Sequence, residues 1–496
     1  MTPAGENWRN LPRLATKHLL ASTNALPVTV LMGARQTGKS TLVRTLPSLK
    51  DYLFLTLDRA DIREQAQRDP HALLRSAPKL IVDEVQRDPA LVLAIKEIVD
   101  ENAYTGQREV GQFILTGSAN LLEMRRVNES LAGRAAYTTL WPMSRREQLG
   151  QGVAGTWSDF FTTATTDWLD LVQSTTTIAA DWRELARVGG YPTPAVEQST
   201  ADERALWFQG YIETYLDRDL RDLASLNNPL DMRRLMRIAA HRVGQLINRS
   251  AWANEAGVAP TTAFRSLDLL EQSYQLIRLE VYAVNRGKRL IKSPQAYWSD
   301  TAMAWHLAGT PTLSGFHFEN VVVQDLLVWR DAQLQKPAIM HWRTTTQDEV
   351  DFVVEQPDGR LLAIACKSGD RPTYDDADGL RLFLREYPLL AAITSRLGGP
   401  TEALLRRHRY CGGLSANRAR AGRARRHRRV SRGARLSAPG GMVRGRTRCA
   451  SHHVAHDRRR RGGLRSGDVK RPRRDRREKR SHAAAGRSSP TAGVPR

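Results

Sequence analysis

The chain has few cysteines and no long apolar run. Its three cysteines, among 496 residues, follow neither a metal-ligand spacing nor a disulfide framework. No apolar segment approaches the length of a membrane-spanning helix, and charged residues interrupt the N-terminal segment where a secretory signal would need an apolar core. These absences argue against a disulfide-stapled, secreted or membrane-inserted protein. They predict a soluble, cytoplasmic protein, and the length of 496 residues predicts several domains.

Acidic residues are scarce only near the C-terminus, and this imbalance produces the net charge of +23. Residues 401–496 contain 30 Lys+Arg and 5 Asp+Glu, which leaves a nearly neutral balance of 45 basic and 47 acidic residues before them. Residues 398–496 lack a periodic apolar pattern and are predicted to be a disordered Arg-rich tail. Three interpretations stay open: an arm that binds nucleic acid through phosphate charge, a tail without a role, and a shifted reading frame near residues 393–412.

A phosphate-binding motif follows the strand-like run Val28–Met32 and precedes a helix-like segment, which is the context that such a loop requires. Lys39 is predicted to contact the β- and γ-phosphates of a nucleotide, and Ser40 to bind Mg²⁺. A glycine-containing turn with a solvated lysine would fit the motif if it stood alone. The residues predicted to bind the nucleotide here are Gly33, Ala34, Arg35, Gln36, Thr37, Gly38, Lys39, Ser40 and Thr41.

Continuous apolar strands alternate with helices, which predicts an α/β fold with a parallel sheet covered on both faces. Ligands of such sheets bind at the carboxyl ends of the strands. One strand ends in Asp83 and Glu84, and the next ends near Ser118 and Asn120. Asp83 is predicted to bind Mg²⁺ and Glu84 to deprotonate the attacking water.

Two further residue assignments are open. Ser118 and Asn120 could position the water or contact the γ-phosphate, or they could belong to a plain polar loop. Arg134 could stabilise transition-state charge in its own chain or in a neighbouring subunit, or it could be a salt-bridged surface residue.

Several segments together resemble a prokaryotic family of AAA-type P-loop ATPases that carry a C-terminal domain of unknown function. The resemblance extends through most of residues 10–395 and implies an ATP-binding domain over residues 1–145, with ATP and Mg²⁺ as cofactors. It also implies an extra strand between the two nucleotide motifs, with Asp83 as metal ligand and Glu84 as catalytic base. The segments that carry the resemblance are Gly33–Ser40, Ile81–Arg87, Ile114–Ser118 and Leu131–Arg134.

Residues 146–230 are predicted to be a helical linker, and residues 231–300 a winged-helix domain. The second region has three helix-like segments followed by two strand-like runs, as in helix–turn–helix proteins with a wing. In a DNA-binding role, helix residues would face the groove and wing residues would touch phosphate. A protein-contact module is the alternative. The residues concerned are Thr261, Thr262 and Arg265 in the helix, and Lys288 and Arg289 in the wing.

Residues 301–397 are predicted to be a small α/β domain similar to a restriction-endonuclease core. Glu319, Asp351 and Lys367 match acidic and basic positions of such a core, which holds Mg²⁺ by carboxylates next to a lysine. The acidic residue expected two positions before the lysine is replaced by Ala365, which has no oxygen to bind a metal. The domain is therefore predicted to keep the fold without nuclease activity.

The sequence as a whole predicts an ATP-binding protein that hydrolyses ATP with Mg²⁺ to drive a conformational switch. A DNA-binding protein in which ATP acts as regulator is the alternative, and a protein-binding switch with slow turnover is a third. ATP is the expected partner; DNA, a protein partner and further copies of the same chain are open alternatives, and no membrane is expected.

Overall fold

The computed structural model describes residues 11–107, 109–118, 131–174, 181–198, 200–214, 229–284, 293–369, 373–387 and 391–395. The Arg-rich tail, Asn120 and the wing residues Lys288 and Arg289 lie outside the described residues. Within these ranges, no helix has the combination of length and apolar character that a membrane crossing requires.

A five-stranded parallel sheet forms the first domain. The strands run in the order β2-β3-β4-β1-β5, so β4 lies between β1 and β3, and every neighbouring pair is parallel. The predicted α/β fold with an extra strand between the two nucleotide motifs is therefore confirmed. The strands are β1 (Val28–Met32), β2 (Leu53–Thr56), β3 (Leu80–Asp83), β4 (Phe113–Gly117) and β5 (Ala135–Thr139).

Helices cover both faces of this sheet, which explains why its central strands are buried along their whole length. Leu31, Ile81 and Ile114 form one buried cluster with apolar residues of α1 (Ala15–Thr23) and α2 (Lys39–Thr45). Their strand neighbours point to the opposite face and belong to a larger cluster that includes Ile95 of α5. The helices are α1 (Ala15–Thr23), α2 (Lys39–Thr45), α3 (Ala60–Arg68), α4 (Pro70–Leu74) and α5 (Pro89–Tyr104).

The middle of the chain is mainly helical and includes a two-stranded antiparallel sheet, β6 (Leu276–Leu279) with β7 (Gln295–Trp298). A π-helical turn, Thr193–Glu197, lies between two of the α-helices. Strands β6 and β7 follow a pair of helices, which is the order expected for a winged helix. The wing that would connect the two strands stays a prediction. The helices are α6 (Arg145–Gln148), α7 (Asp159–Thr162), α8 (Trp168–Ser174), α9 (Trp182–Val188), α10 (Ala201–Thr214), α11 (Pro229–His241), α12 (Arg249–Ala256), α13 (Pro260–Gln272) and α14 (Thr301–Ala308).

A second, four-stranded sheet follows, in the order β11-β10-β9-β8. Strand β10 is parallel to β11 and antiparallel to β9, which is antiparallel to β8. One helix precedes β8 and another lies between β10 and β11. Their buried residues belong to different apolar clusters, so the two helices cover different faces of the sheet. The elements are α15 (Gly315–Asp331), β8 (Ala338–Arg343), β9 (Glu349–Glu355), β10 (Leu361–Cys366), α16 (Asp378–Glu386) and β11 (Ala391–Ser395).

The glycine pair before Tyr191 joins the first domain to the helices. The backbone N–H of Gly190 donates to the Asp300 carboxylate (2.6 Å), and its carbonyl accepts from the Met143 N–H (2.6 Å). Asp300 also caps α14 by accepting from the Met303 N–H (2.9 Å), and burial raises the pKa of this carboxyl to about 6. A Cβ atom at Gly190 would lie 2.3 Å from the Met143 carbonyl oxygen. This position therefore has no room for a side chain.

We expect Gly190→Ala to lower the free energy of unfolding by at least about 2 kcal/mol, because the added methyl group collides with backbone atoms that cannot move independently. Gly210→Ala is the matched control, since nothing lies within 4 Å of a Cβ atom at that helical position. The control should stabilise by about 0.5–1 kcal/mol. Urea denaturation of both variants measures the difference, and equal stabilities would contradict this account of the junction.

Candidate nucleotide site

The phosphate loop connects the end of β1 to the start of α2. Gly38 precedes the helix with a φ of 93°, a left-handed conformation that favours glycine. Gly33 has a φ of 146°, and a Cβ atom there would lie 2.2 Å from the carbonyl oxygen of Leu140. Both glycines of the motif are therefore required by the backbone, one by its conformation and the other also by the close approach of a neighbouring segment.

Lys39 is directed into the loop and not into solvent. Its ammonium group donates to the carbonyl oxygens of Gly33 (3.0 Å) and Ala34 (2.8 Å), and only 5% of the residue is exposed. A buried ammonium next to the start of α2 concentrates positive charge where an anion would bind. This arrangement argues against the alternative of a solvated lysine in a plain turn.

Ser40 and Asp83 meet at the carboxyl edge of the sheet. The Ser40 hydroxyl donates to Asp83 Oδ1 (2.7 Å), and the Thr116 hydroxyl donates to the same oxygen. A hydroxyl and a carboxylate are hard oxygen donors, and this donor set fits Mg²⁺ bound together with phosphate oxygens. Sequence patterns did not predict Thr116 as part of this site. The strand register accounts for its position: Val82 pairs with Leu115, so the next residues, Asp83 of β3 and Thr116 of β4, are neighbours.

The structure brings Glu84 and Ser118 together at the same edge. Glu84 has a φ of 58°, which is uncommon for a residue other than glycine. Its carboxylate oxygen Oε2 accepts from the Ser118 hydroxyl (3.3 Å) and from the side-chain amide of Gln86. The same amide nitrogen donates to Ser118 Oγ (2.9 Å). Gln86 and Ser118, from two neighbouring segments, thus hold the carboxylate of Glu84, the predicted base.

Arg134 is not brought to this site. Its carbonyl oxygen accepts from the Val28 N–H at the start of β1, whereas the phosphate loop follows the end of that strand. Five strand residues separate the two edges by roughly 15 Å. The Arg134 guanidinium pairs instead with Asp100 (2.5 Å) and lowers the pKa of that carboxyl. A role within its own chain is therefore not supported, and a role in a neighbouring subunit stays a prediction.

Arg13 stabilises the phosphate loop, and no sequence pattern predicted this role. Its guanidinium donates to the carbonyl oxygens of Thr37 (2.8 Å) and Trp141 (2.7 Å), and its Nε lies 3.3 Å from Glu147 Oε1. Glu147 also accepts from two backbone N–H groups, those of Leu14 (2.7 Å) and Ser144 (2.9 Å). A buried ion pair therefore ties the loop to the segment that follows β5. No local pattern around Arg13 signals this contact.

Side chains from the helical region also reach the loop. The Tyr211 hydroxyl on α10 lies 3.3 Å from the carbonyl oxygen of Arg35. The Gln275 side-chain amide donates to the same hydroxyl (2.9 Å), and the Tyr191 hydroxyl lies 3.3 Å from both Tyr211 and Gln275. Burial raises the pKa of Tyr191 above its usual value, so its hydroxyl stays protonated. The phosphate loop is thus in contact with residues far along the chain.

The residues predicted to face DNA lie at the start of α13. Thr261 and Arg265 are exposed there, and Thr262 is half-buried. Their placement leaves them accessible, and it identifies no partner. DNA contact by this helix stays a prediction.

The acidic residues Glu319 and Asp351 of the C-terminal domain lie close enough for their charges to interact. Burial raises the pKa of Asp351 to about 6, and burial together with the Asp351 charge raises that of Glu319. Ala365 packs in the apolar cluster that contains Phe383 of α16, whereas Glu319 lies on α15. Within the described ranges, no three His, Cys, Asp or Glu side chains form a group that could hold a metal ion.

Three family models match the chain. An AAA domain model covers residues 26–149, a domain of unknown function (DUF8612) covers 179–314, and another (DUF4143) covers 314–404. An uncharacterized protein of Mycobacterium tuberculosis and one of Mycobacterium bovis are each 30% identical over 372 residues. These alignments cover 73% of this chain and 75% of each relative.

Solved structures that are similar at low identity include two ATP-related proteins. A Walker-type ATPase of Pyrococcus abyssi is 15% identical with a TM-score of 0.37, over 61% of this chain and 99% of that chain. The AMPPCP-bound DnaA of Aquifex aeolicus is 13% identical with a TM-score of 0.23, over 52% and 86% respectively.

We expect Arg13→Met to lower the free energy of unfolding by about 3–5 kcal/mol, because it leaves the Glu147 carboxylate buried without its cation. The double variant Arg13→Met with Glu147→Gln should recover part of this loss, since the uncompensated charge is removed. Arg68→Met, at an exposed position of α3, is the control and should change stability by less than about 0.5 kcal/mol. Thermal or urea unfolding measures all three variants. Similar losses for Arg13→Met and Arg68→Met would contradict a supporting role.

Proposed function

Because the chain belongs to the family of AAA-type P-loop ATPases with a C-terminal domain of unknown function (DUF4143), we propose that it binds ATP together with Mg²⁺ and hydrolyses it to ADP and phosphate. Hydrolysis drives a conformational switch in the helices that contact the phosphate loop. The observation that carries this proposal is the hydrogen bond between Ser40 and Asp83 (2.7 Å), beside the pair formed by Glu84 and Ser118.

Each residue at this edge has a separate task. Lys39 and the backbone N–H groups of the loop hold the negative charge of the β- and γ-phosphates. Ser40 and Asp83 would hold Mg²⁺, which when bound neutralises charge on the phosphate oxygens. Glu84 accepts the proton of the water that attacks the γ-phosphate, and Ser118 holds the Glu84 carboxylate in place.

The proposed switch is supported by side chains that touch both the loop and distant elements. Tyr211 contacts the carbonyl oxygen of Arg35, and Gln275 donates to Tyr211. Arg13 contacts the carbonyl oxygens of Thr37 and of Trp141, and the Trp141 indole donates to Asp331 at the end of α15 (2.5 Å). A loop that rearranges around a nucleotide must change these hydrogen bonds, so its state can be transmitted to α10 and α15.

We expect Lys39→Ala to abolish ATP binding, because it removes the buried charge that faces the phosphates. Glu84→Gln should bind ATP normally and turn over on the order of 10²- to 10⁴-fold more slowly, because an amide cannot accept the proton. Equilibrium binding of a fluorescent ATP analogue and the release of phosphate measure the two effects separately.

Lys50→Ala and Glu64→Gln are matched controls, since both side chains are exposed in the same domain. Both should bind and hydrolyse ATP like the unchanged protein. Normal turnover by Glu84→Gln would refute the assignment of the base, and normal binding by Lys39→Ala would refute the nucleotide site.

A further inference from the structure

Gln86 lies in the short 3₁₀ turn Val85–Arg87 that follows β3 and the catalytic-base position. Its side-chain amide turns back towards Glu84. The amide nitrogen donates to Glu84 Oε2 and to Ser118 Oγ (2.9 Å), so both of its hydrogens have acceptors. Gln86 is therefore the residue that bridges Glu84 and the end of β4.

The chemistry of the neighbours fixes the orientation of this amide. An ionised carboxylate only accepts hydrogen bonds, so the nitrogen of Gln86 must face Glu84; the reverse orientation would place two acceptors in contact. In this orientation Oε1 of Gln86 is buried and has no hydrogen-bond partner among the described residues. A buried acceptor without a donor is unfavourable, and a water molecule is the simplest donor that could satisfy it.

The two donors leave the Glu84 carboxylate with one oxygen engaged. Ser118 and Gln86 both contact Oε2, and within the described ranges no hydrogen bond reaches Oε1. One oxygen is thus held while the other stays available to accept a proton. The turn itself is anchored on both sides of Gln86, by the fully buried Val85 and by an ion pair between Arg87 and Asp58 (2.7 Å).

We propose that Gln86 is a positioning residue for ATP hydrolysis: its amide nitrogen fixes the Glu84 carboxylate, and its amide oxygen accepts a hydrogen bond from the water that Glu84 deprotonates. The inference rests on the proposed ATPase function. Gln86 acts through Glu84 and through water, and it does not contact the nucleotide. Its loss should therefore slow turnover without weakening nucleotide binding.

The test uses the full-length chain with Gln86→Leu and with the isosteric Gln86→Glu. Leucine offers no donor, and glutamate adds a second carboxylate that repels Glu84. We expect kcat to fall by about 10- to 100-fold in both variants, while KM and the Kd of a fluorescent ATP analogue stay within about twofold. Gln67→Leu, at an exposed position of α3, is the control and should retain the original kcat.

A double variant separates positioning from general damage. Gln86→Leu combined with Glu84→Gln should lose less than the product of the two single losses, because part of the effect of Gln86 is exerted through the Glu84 carboxylate. Circular dichroism checks folding, and Gln86→Glu decides the matter where Gln86→Leu is unfolded.

The outcomes distinguish this inference from the proposed function. Absence of ATP hydrolysis by the unchanged protein, or normal turnover by Glu84→Gln, would overturn both. A slow Glu84→Gln with unchanged kcat in both Gln86 variants would overturn this inference alone. An additive further loss in the double variant would also overturn it, since the two residues would then act independently.

Discussion

A loop that turns its backbone N–H groups towards a phosphate must direct its carbonyl oxygens elsewhere, and buried carbonyl oxygens need donors. This constraint organises much of the protein. The donors come from α2, from the segment before α1 and from α10, so three separate parts of the chain stabilise one loop. The pairs are Lys39 with Gly33 and Ala34, Arg13 with Thr37, and Tyr211 with Arg35.

The same donors connect the loop to the rest of the molecule. Arg13 also bonds the carbonyl oxygen of Trp141, whose indole bonds Asp331 at the end of α15. The Tyr211 hydroxyl also accepts a hydrogen bond from the side-chain amide of Gln275, a residue that follows α13. These are contiguous hydrogen bonds between buried groups, and breaking one leaves a partner unsatisfied. The phosphate loop and helices α10 and α15 are therefore parts of one hydrogen-bonded network, which gives a physical basis for the switch that we propose.

Sequence patterns predicted the parallel sheet and the site residues at the ends of its strands, because both depend on local order along the chain. Strand ends fall at one edge of a parallel sheet, so Asp83, Glu84 and Ser118 had to meet near the loop. Arg134 precedes its strand and lies at the other edge, which the motif spacing did not reveal. Arg13 contacts Glu147 across more than a hundred positions, and no periodicity signals such a pair. Gln86 was visible in the family motif, but its role depends on side-chain orientation.

Two buried carboxylates of the C-terminal domain, Asp351 and Glu319, have hydrogen-bonding roles of their own. The register between β9 and β10 ends at the pair Phe352 and Ile364. Two residues further along β10, the Asp351 carboxylate accepts the backbone N–H of Cys366 (2.5 Å). Asp351 thus supplies the acceptor that the neighbouring strand no longer provides. Glu319 likewise accepts from the buried Tyr297 hydroxyl (2.9 Å). Ala365 packs in an apolar cluster, and both carboxylates accept hydrogen bonds from buried groups.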